Sequence, residues 1–280
     1  VHGRFSGSLE INYEENSIIV NGQNIKFLSS NEDINFKSIG INNAILIDST
    51  GVKKDRESLS THLNKEIKKV LLTAPGQSIP NIVYGVNHKD IDIENENIFS
   101  AASCTTNAIA PILHVINKEK KIISGHIETI HAYTNDQNLL DNMHQKSRRG
   151  RAAAVNMVIT STGAGKAISK IIPSLNGKLT ANAIRVPTPN GSLAIIHLNL
   201  EDSTSKTEIQ ELLRKAALEG DLVNQIKYST NTELVSSDII GTSGCSIFDS
   251  NSTLVGKNEK SITLYIWYDN EFGYTKQVIR

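Results

Sequence analysis

The chain has 280 residues, 39% of them hydrophobic and 21% charged, so it is long enough for one large or two medium globular domains. Its 29 basic and 29 acidic side chains balance, which argues against nucleic acid or an anionic membrane surface as a partner. No apolar run reaches the roughly 18 residues that span a bilayer, and no signal peptide is visible. With two cysteines in such a chain, we expect free thiols and a soluble, cytoplasmic protein.

The first hundred residues contain short strands, and from residue 44 strands alternate with helical or loop segments. The predicted strands are residues 8–11, 17–20, 25–29, 44–48, 69–73, 81–86 and 98–101. Asn21-Gly22 predicts a tight hairpin turn, and residues 58–66 a helix. The alternation favours a parallel sheet with connections on its faces. Ligands of such sheets bind beyond the carboxyl ends of the strands, where Thr50, Gly51 and Thr73 lie.

A lone cysteine, Cys104, lies where the strand at 98–101 is followed by a helix. The apolar residues of that helix recur at helical spacing, and they are Ile109, Ile112, Leu113 and Ile116. Capping side chains are expected from Thr105, Thr106 and Asn107. Pro111 is tolerable only within the first turns. Free amides and the positive end of the helix dipole favour a thiolate at Cys104, which makes it a candidate nucleophile; the alternative is a small buried residue.

After Cys104 the sequence predicts longer strands than before it. Long strands are predicted at residues 122–131, 178–185, 193–200 and 261–267. An amphipathic helix is predicted at 204–218, with Ser205 or Thr207 near its start. Long strands with helices on one side indicate an α+β domain. We expect a first domain at residues 1–103, a second at 104–269, and a return to the first domain at 270–280.

The run from Ser100 to Ile116 resembles the active-site motif of the phosphorylating glyceraldehyde-3-phosphate dehydrogenases and the related erythrose-4-phosphate dehydrogenases. The resemblance continues, in the family's order, through HAYTNDQ (131–137), RRGRAAA (148–154), STGAGKA (161–167), LNGKLTANAIRVPTPN (175–190) and WYDNEFGY (267–274). It implies a partial doubly wound parallel-sheet NAD-binding domain followed by an antiparallel or mixed-sheet catalytic domain. It also implies an NAD cofactor, a glycolytic role and a homotetramer. NADP is not excluded, since Asn142 and Met143 occupy the loop that usually helps to choose between the two cofactors.

The resemblance also assigns roles to individual residues. It implies that Cys104 is the nucleophile and that His131 is its base, a task that suits the imidazole pKa. Arginine suits phosphate because its planar fork binds two oxygens. The residues implied around inorganic phosphate are Ser103, Thr105, Arg149, Thr162 and Gly163, and those implied around the substrate phosphate are Thr134, Asp136 and Arg185. The residues implied for the cofactor are Thr50, Gly51, Thr73, Asn270 and Tyr274, and no metal is expected.

The family's amino-terminal glycine-rich βαβ segment and part of its carboxyl-terminal helix have no counterpart in the printed sequence, so we expect a truncated copy. The implied reaction is the oxidative phosphorylation of D-glyceraldehyde 3-phosphate to 1,3-bisphosphoglycerate through a thiohemiacetal and a thioester on Cys104. Three alternatives stay open. In the first, the substrate is erythrose 4-phosphate. In the second, the chain keeps a reactive Cys104 but transfers little or no hydride. In the third, it is a non-catalytic subunit of an assembly.

Overall fold

In a computed structural model that describes residues 2–29 and 34–280, the chain forms three sheets. The first is an antiparallel meander of β1 (Leu9–Asn12), β2 (Ser17–Val20) and β3 (Gln23–Lys26). Asn21 and Gly22 both have positive φ, 49° and 81°, as a two-residue hairpin turn requires. The predicted turn is confirmed. The third strand begins at Gln23 and not at residue 25, because the turn uses only two residues.

The second sheet is parallel, with the order β4-β5-β6, and corresponds to the predicted α/β region. Its strands are β4 (Ala44–Asp48), β5 (Ile67–Leu72) and β6 (Ile98–Ser100), and one short helix, α1 (Arg56–Ser60), connects the first two. The predicted helix at 58–66 is wrong in its bounds. The Asp55 carboxylate caps the Ser58 amide at 2.9 Å and starts the helix early. The Asn64 side chain then accepts hydrogen bonds from the Glu66 and Ile67 amides and turns the chain into β5.

The strand predicted at residues 81–86 is wrong. Asn81 forms only an isolated bridge with Ser100. The chain then turns, because the Asn87 side chain accepts a hydrogen bond from the Val83 amide at 2.8 Å and the Val83 carbonyl accepts one from Val86 at 3.0 Å. Val83 is fully buried, so its apolar character reflects a packed turn and not a strand.

The third sheet has eight strands in the order β11-β12-β14-β10-β7-β9-β8, with β13 paired to β14. The strands are β7 (Ile122–Ala132), β8 (Val158–Thr160), β9 (Leu179–Val186), β10 (Ser192–Leu200), β11 (Ile226–Ser229), β12 (Ser246–Asp249), β13 (Leu254–Val255) and β14 (Ser261–Tyr268). The β7/β9 and β11/β12 pairs are parallel and the others antiparallel. The four long strands were predicted to within a few residues, and the α/β plus α+β class is confirmed.

Four further helices accompany this sheet. They are α2 (Cys104–Lys120), α3 (Ala164–Ile171), α4 (Lys206–Leu218) and α5 (Phe272–Ile279). Helix α4 starts after Ser205, whose hydroxyl accepts the Glu208 amide at 3.1 Å, as one of the two predicted caps. Short 3₁₀ segments lie at Phe36–Ile39, His88–Asp90, Ser147–Gly150 and Pro173–Leu175. Within residues 2–29 and 34–280, no helix is long and apolar enough to cross a membrane.

Helix α2 forms the centre of the main core. Its residues Ile112, Leu113 and Ile116 are fully buried in one cluster with Ile127 of β7 and Ile196 of β10. Burying aliphatic side chains of this size contributes roughly 1.5–3 kcal/mol each. The predicted apolar face of the helix therefore packs on the middle strands of the mixed sheet, and its first residue is Cys104.

The sequence predicted Pro111 within the first turns of the helix, and this prediction is wrong. Pro111 lies inside α2, beyond the first turns, so the Asn107 carbonyl has no amide four residues later to accept from. A distant hydroxyl supplies a donor there instead. Ser246 of β12 is fully buried, and its Oγ lies 3.5 Å from the Asn107 oxygen and 2.5 Å from the Ala108 oxygen. The one hydroxyl proton is shared between these two oxygens, so the strand compensates only in part for the missing amide hydrogen.

Ser246→Ala should lower the free energy of unfolding by about 2 kcal/mol, because it leaves buried helix carbonyls without this donor. In a Pro111→Ala background the same substitution should have a smaller effect, since the backbone N–H gained in place of the proline nitrogen can donate to the Asn107 carbonyl. Urea denaturation of the four proteins measures both values. Ser60→Ala, which removes an exposed hydroxyl bond to the Glu57 carbonyl, is the control. Equal effects of Ser246→Ala in both backgrounds would contradict the compensation.

Candidate active site

The turn before α2 places Cys104 at the first position of the helix. Ser103 is the N-cap, with its hydroxyl accepting the Thr106 amide at 3.1 Å. The caps predicted at 105–107 are therefore wrong. Ala102 has a left-handed φ of 56°, an uncommon conformation for a residue with a Cβ. It is held because its amide donates to the Ser100 hydroxyl at 2.9 Å and the Asn107 side chain donates to the Ala101 carbonyl at 2.8 Å.

His131 lies opposite the sulfur. Its Nε2 is 3.5 Å from Cys104 Sγ, and the ring is only 5% exposed at the end of β7. Tyr268 of β14 packs edge-to-face on the imidazole with a centroid distance of 5.8 Å, and its hydroxyl is 3.0 Å from Thr105 Oγ1. The thiol, the imidazole and the phenol are therefore fixed to one another through α2, β7 and β14.

Burial favours the neutral forms of both Cys104 and His131. Burial, followed by the charge of Arg185, lowers the pKa of His131 to about 4. Burial raises the pKa of Cys104, and Arg185 and the Thr105 hydroxyl and amide oppose it only in part. The sequence predicted that the helix start favours a thiolate at Cys104. In this structure burial acts against that effect, because it favours the neutral form of both groups.

Arg149 is the one member of the basic run that turns into the site. It is 9% exposed; its Nε donates to Thr160 Oγ1 at 2.9 Å, and its Nη1 forms an ion pair with Asp136. Asp136 also accepts the Thr134 hydroxyl at 2.5 Å. The resemblance grouped Asp136 with Arg185, whereas the structure pairs it with Arg149. This contact accounts for a carboxylate near a predicted phosphate site.

Arg185 approaches Cys104 and His131 from β9. Its Nη1 is 2.7 Å from His131 Nδ1 and donates to the Ala132 carbonyl at 2.9 Å. Its Nε is buried without a hydrogen-bond partner among the described residues. A buried donor that lacks an acceptor is costly, and an anion would relieve that cost.

A cavity of about 360 Å³ joins these groups. Eight of the predicted site residues line it: Ser103, Cys104, Thr105, His131, Arg149, Thr162, Gly163 and Arg185. Gly163 precedes helix α3, and the Thr162 hydroxyl accepts the Ala164 amide at 3.2 Å. Sequence reasoning missed Lys146 and Pro75, which line the same cavity. Lys146 immediately precedes the basic run, which is the signal that could have found it.

A second cavity, of about 880 Å³, lies beyond the carboxyl ends of the parallel strands. Gly51 and Thr73 line it together with Thr134 and Asp136. The other predicted cofactor residues have internal partners. The Thr50 hydroxyl donates to Asp48 at 2.7 Å, the Asn270 carboxamide oxygen accepts from Ser192 at 2.8 Å, and the Tyr274 hydroxyl donates to the Ala102 carbonyl at 3.0 Å.

No group of three or more His, Cys, Asp or Glu side chains in the described part of the chain is arranged to hold a metal ion. Both cysteines are free. Cys245 is 2% exposed, and burial raises its pKa to about 12. The two thiols therefore differ in access and in the partner that could take their proton.

Iodoacetamide at pH 8 should alkylate Cys104 and leave Cys245 unmodified in the native protein. The reason is that Cys104 is half-buried at a cavity beside an imidazole, while Cys245 is closed off and protonated. Peptide mapping by mass spectrometry gives the ratio, and the urea-unfolded protein, in which both should react, is the control. Faster labelling of Cys245 would remove Cys104 as the nucleophile.

The free energy of unfolding should decrease as the pH is lowered, and His131 should cause part of this decrease. Its folded pKa of about 4 lies below the unfolded value of roughly 6.5, so the unfolded chain takes up a proton first and acid favours unfolding. Between pH 7 and pH 5 the wild type should lose about 2 kcal/mol more than His131→Asn. Urea titrations at both pH values measure this difference. Equal losses in the two proteins would mean that the imidazole is not held neutral by the fold.

Comparisons with known proteins agree with this geometry. Residues 103–270, which include Cys104, His131 and both arginines of the cavity, match the family model described as glyceraldehyde 3-phosphate dehydrogenase, C-terminal domain. A glyceraldehyde-3-phosphate dehydrogenase-like protein of Pseudomonas aeruginosa is 50% identical over 284 residues, covering 100% of this chain and 61% of that protein. The chain thus spans less than two thirds of that relative's length.

Two further relatives are covered more fully. Glyceraldehyde-3-phosphate dehydrogenase 2 of a Nostoc species is 45% identical over 97% of this chain and 80% of its own length. Glyceraldehyde-3-phosphate dehydrogenase 1 of Bacillus cereus is 39% identical over 100% of this chain and 82% of its own. The family model and these identities together show that the chain belongs to the glyceraldehyde-3-phosphate dehydrogenase family.

Proposed function

We propose that this chain carries out the NAD(P)-dependent oxidative phosphorylation of D-glyceraldehyde 3-phosphate to 1,3-bisphosphoglycerate. The observation that carries the proposal is the 3.5 Å separation of Cys104 Sγ and His131 Nε2 in a cavity that Arg149 and Arg185 also line. A thiol beside a base suits attack on an aldehyde. Two guanidinium groups suit two phosphates, one on the substrate and one inorganic. The names of the relatives supply the identity of the aldehyde.

The chemistry begins with transfer of the Cys104 proton to His131 Nε2. The sulfur adds to the aldehyde carbon and forms a thiohemiacetal, whose oxyanion is stabilised by the helix-start amide of Cys104 and by the imidazolium. His131 protonates this oxygen and takes the proton back as hydride leaves the carbon, which yields a thioester. Inorganic phosphate then attacks the thioester carbon, the C–S bond breaks, and the acyl phosphate leaves.

The 880 Å³ cavity, which Gly51 and Thr73 line, suits part of a dinucleotide in size and position. The residues proposed to hold it are Thr50, Gly51, Thr73, Asn270 and Tyr274. Gly51 has a positive φ of 73°, a conformation that favours glycine. Because glycine has no Cβ, its backbone can approach a ligand closely. When bound, the dinucleotide supplies the acceptor for the hydride. Asn142 and Met143 are both exposed, and NADP stays an alternative to NAD.

The two phosphates are proposed to bind at opposite sides of Cys104. Inorganic phosphate takes the site of Ser103, Thr105, Arg149, Thr162 and Gly163, next to the start of α3. The substrate phosphate takes Thr134 and Arg185. Asp136 is proposed to hold the Thr134 hydroxyl and the Arg149 guanidinium in place, as its contacts with both indicate.

We also propose the division into a dinucleotide-binding part (1–103 and 270–280) and a catalytic part (104–269), in a cytoplasmic homotetramer. Helix α5, in the returning segment, is linked to the turn before Cys104 by the Tyr274 hydroxyl. The outward face of the mixed sheet supports assembly, because it carries the half-buried apolar side chains Leu193, Ile195, Tyr265 and Trp267. The other open readings are erythrose 4-phosphate as substrate, a thiol that reacts without hydride transfer, and a non-catalytic subunit.

The test is an assay of reduced nicotinamide formation with D-glyceraldehyde 3-phosphate, NAD and phosphate, with the acyl phosphate trapped by hydroxylamine. Activity should require Cys104 and survive Cys245→Ser. Erythrose 4-phosphate run in parallel decides between the two substrates by kcat/KM. Absence of reduced nicotinamide, together with Cys104-dependent hydrolysis of p-nitrophenyl acetate, would favour the reactive thiol without hydride transfer.

In the same assay, Arg185→Leu should raise KM for the phosphorylated aldehyde at least tenfold, because a charge-assisted pair contributes about 1.5–3 kcal/mol. KM for unphosphorylated glyceraldehyde should change much less. The matched control is Arg148→Leu, since Arg148 is exposed and its guanidinium donates only a long bond to the Ile159 carbonyl. Equal effects of Arg185→Leu on the two aldehydes would make Arg185 a structural residue.

A further inference from the structure

The cavity that holds Cys104 has more positive than negative charge on its walls. Lys146, Arg149 and Arg185 line it, whereas no carboxylate of the described residues does. The Asp136 carboxylate, which lines the neighbouring cavity, forms an ion pair with Arg149. The two charges of that pair sum to zero, so a nearby anion gains little net attraction from them. The charge of Arg149 is thus largely offset before any anion binds.

The site proposed for inorganic phosphate therefore lacks a net positive charge of its own. Besides Arg149 it consists of hydroxyl groups and of the backbone at Gly163, next to the start of α3, which carry no full charge. Inorganic phosphate is largely a dianion at pH 8, and an anion leaves water only where opposite charge replaces its hydration. Arg185 is assigned to the phosphate of the substrate. Lys146 is the remaining cation of the cavity within the described residues.

Lys146 has no partner for its charge. Its side chain is exposed, and its ammonium forms no hydrogen bond or ion pair with any residue that the structure describes. The exposed arginines that follow it differ. Arg151 is paired with Asp141, and Arg148 lines a separate cavity. Of these three residues, Lys146 alone combines an unpaired charge with a place in the cavity of Cys104.

The loop that carries Lys146 is closed on itself. The Asn142 amide donates to the Gly150 carbonyl at 2.9 Å, and a Cβ at Gly150 would collide with the Asn142 carbonyl oxygen. Within the loop, the Lys146 amide donates to His144 Nδ1 at 2.9 Å, and the Lys146 carbonyl accepts the Arg149 amide at 2.8 Å. The backbone of Lys146 is therefore fixed relative to Arg149, while its flexible side chain can turn toward an ion beside that guanidinium.

We infer that Lys146 is a further ligand of the inorganic phosphate, and that it supplies the positive charge which Asp136 offsets on Arg149. The inference rests on the proposed function in placing inorganic phosphate at Arg149. A lysine suits this task because its ammonium is a compact charge with three rotatable donors. Lys146 takes no part in proton or hydride transfer. It holds the anion that attacks the thioester.

Calorimetric titration with inorganic phosphate at pH 8 and low ionic strength tests the inference without a dinucleotide. Lys146→Gln should raise the dissociation constant for phosphate about fivefold, the upper end of what a solvent-exposed ion pair contributes. Added potassium chloride should reduce this factor, because salt screens exposed charges. Lys146→Arg keeps the charge and should leave the affinity within about twofold of the wild type.

Arg148→Gln is the matched control. It removes the same charge two residues along the loop, but Arg148 lines a different cavity, so the dissociation constant for phosphate should stay unchanged. Equal weakening by Arg148→Gln and Lys146→Gln would mean that only the general charge of the loop matters. That result would overturn the inference.

A background of Arg185→Gln shows which phosphate the lysine serves. This substitution removes the guanidinium assigned to the substrate phosphate, so the inorganic phosphate that still binds lies at Arg149. Lys146→Gln should weaken binding by the same factor in this background as in the wild type. An effect that disappears with Arg185 would assign Lys146 to the substrate phosphate and overturn the inference.

The outcomes separate the inference from the proposed function. Phosphate that binds equally to the wild type and to Lys146→Gln overturns the inference and leaves the dehydrogenase assay to decide the function. A wild type that binds no phosphate overturns both the inference and the phosphate site at Arg149. A fivefold effect of Lys146→Gln in a protein that forms no reduced nicotinamide would support the inference and contradict the proposed function.

Discussion

The burial of helix α2 against the mixed sheet determines where every reacting group lies. The helix begins at Cys104 and is packed on β7, β10 and β14, so the backbone of Cys104 is fixed to the core. The strained turn at Ala102 sets its starting point, and Ser246 compensates in part for the proline inside it. His131 comes from a strand against which this helix packs. The geometry of the pair is therefore a property of the core, whereas the arginines reach it from separate strands and loops.

The two arginines of the site differ in their partners. Arg149 has a carboxylate, Asp136, while Arg185 contacts a carbonyl and an imidazole. A guanidinium removed from water is stabilised only where its donors find acceptors. The site is thus complete in hydrogen bonds around Arg149 and incomplete around Arg185, whose Nε faces no acceptor among the described residues. A bound anion would complete it, which couples the occupancy of the cavity to the electrostatics of the catalytic pair.

Sequence patterns predicted the local features of the fold well and the long-range ones poorly. The Asn21-Gly22 turn and the start of α2 depend on adjacent residues, so the sequence contains their signals. The place of Pro111 in the helix interior depends on Ser246, far along the chain, and could not be predicted. The eight predicted residues that line the cavity, Cys104 among them, were given their roles through a family resemblance. Their mutual contacts, above all Asp136 with Arg149, depend on loop packing that no periodicity reports.

The burial of Cys104 has a consequence for redox chemistry. Peroxides oxidise the thiolate far faster than the thiol, first to sulfenic acid and then irreversibly to sulfinic and sulfonic acids. Because burial raises its pKa, the folded protein exposes less thiolate to such oxidants. Desolvation, which lowers the reactivity of the sulfur, thereby also lengthens its chemical lifetime in the presence of oxidants.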